Sequence, residues 1–398
     1  MKLCFVVQRY GLEVTGGAET HCRWLAARLA KSHAVEVVTT CALEYAEWRN
    51  HYPAGSSEIQ GIRVTRHPVE RPRDPRRFAL YSDIVFRDNH TPADERTWIE
   101  ENGPLAPSLV ESLGGMRDVD LFIFYSYRYY TSFFGLPRVR ERAVLVPTAE
   151  DDAALRLSVF APLLNAPRGL LYLTPEEQEL VARTAGNRGL PSVVIGSGIQ
   201  VAEGWRDADV RARFSLPERY ILYVGRVDWA KGVDQLVRYH RQLAEEWPEL
   251  PSLVLAGKPV MEVAPHPKLR LLGEISEPEK GALMAGSLLL VLPSALESLS
   301  LSVLEAWSFA RPVLVNAACP VLEGQCVRSN GGLFYRGYVE FAPALRLLVE
   351  RADLRQALGE AGRAYVAREY DWDVVETRTA AFLASLLAPR EAPTPAGA

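Results

Sequence analysis

The feature that most restricts how this chain can fold is a repeating alternation of short, uninterrupted apolar runs with longer amphipathic ones. KLCFVV has a strand pattern and YGLEVTGGAE follows as a loop; THCRWLAARLAKS then sets Trp24, Leu25 and Leu29 at helical spacing before AVEVVTT resumes a strand. A run that is apolar at every position has no face to offer to water. It predicts a strand covered on both sides, as in parallel sheets flanked by helices. DLFIFYS, AVLVPTA, GLLYLT and SVVIGSG continue the series, and PEEQELVARTAG reads as a helix capped by Thr174. The pattern lapses over the polar stretch 200–217. It restarts at Tyr220 with YILYVGRV, SLVLAGK, LRLLGEI, SLLLVLP and RPVLVN, interleaved with the helical VDQLVRYHRQLAEEW, PEKGALMAG and LSVLEAWSFA.

The expectation is an α/β chain of two tandem, doubly wound, Rossmann-like domains, 1–200 and 218–371, with a cleft between the carboxyl ends of their strands. A length of 398 residues fits, since it exceeds what one hydrophobic core organises. DWDVVETRTAAFLASLL reads as a closing helix at about 372–388, and the Pro- and Ala-rich segment 389–398 as a disordered tail.

Composition removes several functional classes. A net charge of −4 without a basic cluster argues against a nucleic-acid partner. Five cysteines with no C-x-x-C pair argue against a zinc site or a disulfide framework and fit a cytoplasmic protein. The seven histidines form no ligand-spaced set with carboxylates, so neither a metal nor another cofactor is expected. GALMAGSLLLVLPSAL is broken by Gly281, Gly286 and Pro293 and falls short of the roughly 18 apolar residues of a membrane helix. Arg71, Arg73, Arg76, Arg77 and Arg87, set among Phe78, Tyr81 and Phe86, have two readings: a solvated loop or helix face, or a patch that meets an anionic acceptor or the inner membrane surface from its periphery.

Three loops at strand ends carry the chemistry. Gly16 and Gly17 precede a helix start whose free N–H groups suit an anion, although a plain tight turn needs the same residues. GRVDWAKG places Arg226 and Lys231 on a glycine-bounded turn, either as a diphosphate clamp or as a solvated loop. ESLSLSVLEAW sets Glu297 in a loop and Glu305 within the following helix, with Ser298, Leu299 and Ser300 between the two as backbone N–H donors at a helix start. Buried carboxylates need donors, and vicinal sugar hydroxyls supply them. The alternative is two glutamates on a solvated helix edge. SNGG at 329–332 reads as an ordinary turn.

GGAE, GR-x-x-x-x-KG and E-x7-E followed by EAWSFARPVLV, in this order, resemble the retaining glycosyltransferases of family 4, which have the two-domain GT-B fold. The resemblance implies transfer of a sugar from a nucleoside diphosphate sugar to the hydroxyl of a glycan, lipid-linked or small-molecule acceptor, as in polysaccharide biosynthesis. It implies that Glu297 lies by the donor sugar and that Glu305 holds the ribose. Arg226 and Lys231 would neutralise the diphosphate, with Gly16 and Gly17 against the same phosphates. The closing helix would cross back onto the first domain. Relatives often carry His-Asp on the first-domain loop facing the sugar, where VPTAEDDAAL has Glu150 and Asp151; relatives also usually have glycine at the position of Ala310. Glu150 or Asp151 is then the second candidate, after Glu297, to steady the sugar's cationic centre. Two rivals stand: another enzyme of the same fold, such as a nucleotide-sugar epimerase, and a non-catalytic protein that binds a nucleotide sugar or a partner.

Overall fold

The computed structural model describes residues 1–87 and 89–388, so the expected tail 389–398 lies outside the described residues. The chain forms two compact units, one from Met1–Ile195 together with the C-terminal segment from Val375, the other from Gly196–Val374. The stretch 200–217 belongs to the second unit and contains a short helix, Val210–Phe214.

In the first unit, β1 (Lys2–Val6), β2 (Ala34–Thr40), β3 (Gly55–Ile59), β4 (Ile62–His67), β5 (Leu121–Tyr125), β6 (Ala143–Val146), β7 (Gly169–Tyr172) and β8 (Ser192–Val194) form one sheet in the order β3-β4-β2-β1-β5-β6-β7-β8. Only β3 runs antiparallel, to β4. Every residue of β5, β6 and β7 is buried, and because side chains alternate between faces, both faces at the centre of the sheet are covered.

β3 and β4 fall outside the strand pattern read from the sequence, for a physical reason. GSSEI is an exposed edge with a single apolar side chain, and β4 alternates buried Ile62, Val64 and Arg66 with less buried neighbours. They are joined by Gln60 and Gly61, both left-handed, the two-residue geometry that matches strand twist. The arginine-rich stretch becomes the helix Pro75–Arg87. Arg71 and Arg77 both bind the buried Glu101, at 2.8 and 2.9 Å, while Arg73 is itself buried and donates to the backbone of Tyr45, Ala46 and Asn102. Three of the five arginines therefore act inside the unit.

In the second unit, β9 (Tyr220–Val224), β10 (Ser252–Ala256), β11 (Leu269–Gly273), β12 (Leu290–Leu292), β13 (Val313–Asn316) and β14 (Gly332–Tyr335) form an all-parallel sheet in the order β11-β10-β9-β12-β13-β14. The 329–332 turn closes the helix Pro320–Ser329 with Asn330 left-handed and opens β14. In both sheets the chain order reverses beside one central strand: β1 has β2 and β5 as neighbours, and β9 has β10 and β12. Such reversals part the loops at the carboxyl ends of the strands and leave room for a ligand.

The closing helix, Trp372–Leu387, packs through most of its length on the first unit. Arg378 donates to the Val194 carbonyl at 3.3 Å, and a Cβ at Gly169 would lie 2.9 Å from the side-chain tips of Phe382 and Leu386, which shows how closely the helix approaches β7. No described helix is long and apolar enough to cross a membrane.

Candidate active site

The two loops at the reversal point of the second sheet carry six of the candidate residues: Arg226 and Lys231 on one, Glu297, Ser298, Leu299 and Ser300 on the other. After β9 the chain turns through Gly225 and Gly232, at φ 151° and 71°, and a Cβ at Gly232 would lie 2.8 Å from the Pro293 carbonyl oxygen. That contact holds the Arg226–Lys231 loop against the Glu297 loop, which follows β12. Tyr223 Oη donates to the Arg226 carbonyl at 2.6 Å, and Asp228 caps the short 3-10 turn Trp229–Lys231 by accepting from Ala230 N–H at 2.9 Å. The consequence is a cation–carboxylate pair across the reversal point: Lys231 Nζ stands 2.8 Å from Glu297 Oε1. Arg226, exposed, lies 3.3 Å from Asp228.

Ser300 is the N-cap of the helix Leu301–Ser308 and accepts from Val303 N–H at 3.4 Å. Ser298 and Leu299 precede the helix, and Ser302 Oγ ties its first turn to the Val224 carbonyl at 3.3 Å. Glu305 and Trp307 are two residues apart, about 200° around the helix, so they face opposite ways. Trp307 is fully buried and donates to the Gly331 carbonyl at 2.8 Å. Glu305 is buried as well, against a partner that sequence reasoning did not identify: Lys280, on the helix Glu277–Gly286, at 2.7 Å. Burial raises the Glu305 pKa and the Lys280 charge opposes that rise. No local sequence signal announces Lys280, because it lies 25 residues from its carboxylate.

Two further clusters lie in the first unit. Gly16 caps the helix Gly17–Leu29 without a side-chain bond. A Cβ at Gly16 would meet Glu19 Oε2 at 2.3 Å and displace that carboxylate, whereas one at Gly17 would meet nothing within 4 Å, so Gly17 borders open space. The glycine loop is fixed by a buried ion pair absent from the sequence reading as a pair: Arg9 Nη2 is 2.6 Å from Glu19 Oε1 and also donates to the Thr15 carbonyl at 3.3 Å.

Glu150 and Asp151 follow β6 in a loop where Thr148 is left-handed, at φ 49°. Asp151 pairs with Arg156, and Asp152 with Arg128 at 2.7 Å. The loop is anchored by Glu177, a buried residue that the sequence reading passed over: its carboxylate accepts from Ala149 N–H and Leu173 N–H, both at 2.7 Å. Burial pushes the Glu177 pKa up to about 8 despite those bonds, and the nearby Glu150 adds to the rise. The Tyr129 phenol is pushed up to about 12 by burial first and then by Glu19, with Arg128 opposing. The structure thus groups Gly16, Gly17, Glu150 and Asp151 in one unit and Arg226, Lys231, Glu297, Ser298, Leu299, Ser300 and Glu305 in the other.

Residues 207–365 match the family of glycosyl transferases group 1. The chain is 24% identical over 409 residues to a glycogen synthase of Mycobacterium tuberculosis, covering 96% of this chain and 94% of that protein. Its fold is shared with the sucrose-phosphate synthase of Thermosynechococcus elongatus, at 16% identity and a TM-score of 0.72 over 97% of this chain and 99% of that one. It is also shared with Anabaena HepE solved with UDP and glucose, at 16% identity and a TM-score of 0.69 over 97% and 100%. Two parallel-sheet units of the GT-B fold, the second carrying a glycosyl transferases group 1 domain at residues 207–365, make this protein a glycosyltransferase.

Proposed function

We propose that the protein transfers a hexosyl group from a UDP-linked sugar to an acceptor hydroxyl with retention of anomeric configuration, as a member of glycosyltransferase family 4. The observation that carries the reading is the Lys231–Glu297 pair at 2.8 Å beside Arg226, at the reversal point of the second sheet. A ligand that reaches the lysine also reaches the carboxylate, which is the juxtaposition a sugar diphosphate requires. HepE, of the same fold, was solved with UDP and glucose, which favours UDP over other nucleotides.

In this mechanism the bond from the anomeric carbon to the diphosphate breaks while the acceptor oxygen bonds to that carbon. The acceptor's proton leaves with the diphosphate. Negative charge grows on the leaving group, so Arg226 and Lys231 are placed where fixed cations lower the barrier most. Glu297 faces the positive charge that develops on the sugar, and Glu305 accepts from the ribose hydroxyls. Because two protein cations meet the diphosphate, a divalent metal has no required role.

The test is a thermal-shift screen with UDP, GDP, ADP and dTDP, followed by donor hydrolysis and NMR of the first-formed anomer. Stabilisation by UDP with slow release of the retained anomer is expected. Stabilisation by UDP without turnover across a broad acceptor set would favour the non-catalytic reading that Glu150, in place of histidine, allows. Loss of activity in EDTA would refute the metal-free mechanism.

A further inference from the structure

We propose that Lys280 is a positioning residue for the donor nucleotide: it holds the Glu305 carboxylate charged and oriented, with one oxygen left to accept from the vicinal hydroxyls of the ribose. The proposal rests on the reading of Glu305 as the ribose acceptor given above. Lys280 Nζ lies 2.7 Å from Glu305 Oε1 and 2.7 Å from Glu277 Oε2. The three residues differ sharply in exposure: the Glu305 and Lys280 side chains are 7% and 19% exposed, and that of Glu277 is 64% exposed. The outer glutamate therefore faces water, and the lysine bridges inward from it to a carboxylate that water scarcely reaches.

An isolated buried carboxylate takes up a proton rather than remain charged. A protonated Glu305 would accept from the ribose hydroxyls as a neutral group only, and a neutral hydrogen bond is weaker than a charged one. Lys280 opposes protonation by supplying the opposite charge at hydrogen-bond distance. The charged groups acting on Glu305 are Lys280, which lowers its pKa, and Glu277, which raises it. Without the lysine, burial and Glu277 act in the same direction and both favour the proton. Lys280 and Glu277 sit on one helix, Glu277–Gly286, whose start is fixed by a capping box between Ser276 and Glu279, so the ammonium is delivered from a rigid element.

Calorimetric titration of the full chain with UDP between about pH 6 and pH 9, read as the ratio of variant to wild-type affinity, tests this. The ratio cancels titration of the nucleotide's own phosphate, whose pKa is about 6. Lys280→Met is expected to bind UDP about tenfold more weakly than wild type near pH 6 and to recover as pH rises and Glu305 ionises, the difference between a charged and a neutral hydrogen bond. Lys280→Arg should keep wild-type affinity at every pH. Glu305→Gln should bind weakly throughout, with no recovery, which tests the same link if the Met variant folds poorly. A Met variant equal to wild type, or uniformly weaker without recovery, overturns the positioning role. Wild-type protein that ignores UDP overturns the donor reading itself, so the two failures are told apart.

Discussion

The two units place their candidate residues in the same way and hold them in different ways. Both use loops at the point where a parallel sheet reverses direction or just beyond it. In the second unit two candidates pair with each other, Lys231 with Glu297, and glycines flank the lysine in the same eight-residue segment, while Glu305 takes Lys280 from another helix. In the first unit the candidates are held by others. Glu150 sits on a loop anchored by Glu177, which lies 28 residues from the Ala149 N–H that it accepts. Arg128, 24 residues away, takes Asp152. Both arrangements are long-range, since Lys231 and Glu297 lie 66 residues apart; the Glu150 loop is fixed through the Ala149 N–H and the Asp152 carboxylate.

The comparison predicts where substitution hurts most. Glu297→Ala should reduce transfer about a thousandfold while UDP affinity stays within a few fold. A fully active variant would remove Glu297 from the mechanism and, with it, the claim that the second unit holds the chemistry. Arg226→Ala and Lys231→Ala should each weaken UDP binding about tenfold to a hundredfold, the contribution of a charged hydrogen bond of about 1.5–3 kcal/mol. Unchanged affinity in both would mean that the diphosphate lies elsewhere.

The first-unit anchor responds to pH instead. Glu177 has a folded-state pKa raised from 4.5 to about 8, so the folded chain binds this proton more tightly than the unfolded one. The stability this contributes is fully present below about pH 4.5 and is lost as pH rises through about 8, a fall of a few kcal/mol at most. Urea midpoints measured from pH 5 to pH 9 should decline, and Glu177→Gln should flatten that decline. A Gln variant with the wild-type slope would assign it to other groups.

The smallest effect concerns the second unit. Ala310 follows the helix Leu301–Ser308 with φ 53°, its N–H bonded to Trp307 and that of Arg311 to Ala306. This is the left-handed helix end that glycine favours. Ala310→Gly should raise stability by about 1 kcal/mol, visible as a higher melting temperature with unchanged UDP affinity. No gain would show that the backbone there is already relaxed.

The sequence by itself determined the α/β class and the runs that became the buried parallel strands, because a strand covered on both faces must be apolar throughout. It also marked the GR-x-x-x-x-KG and E-x7-E segments, because those clusters are local. It left out β3 and β4, whose exposed or alternating residues resemble loop, and it held the arginines at 71–77 between a solvated face and a patch for an anionic partner without showing that Glu101 and backbone carbonyls take three of them. Only the tertiary structure paired Arg9 with Glu19, Glu177 with the loop of Glu150, and Lys280 with Glu305. The physical reason is common to all three. A buried charge must find a partner, but nothing in its own neighbourhood along the chain says from which element that partner will come.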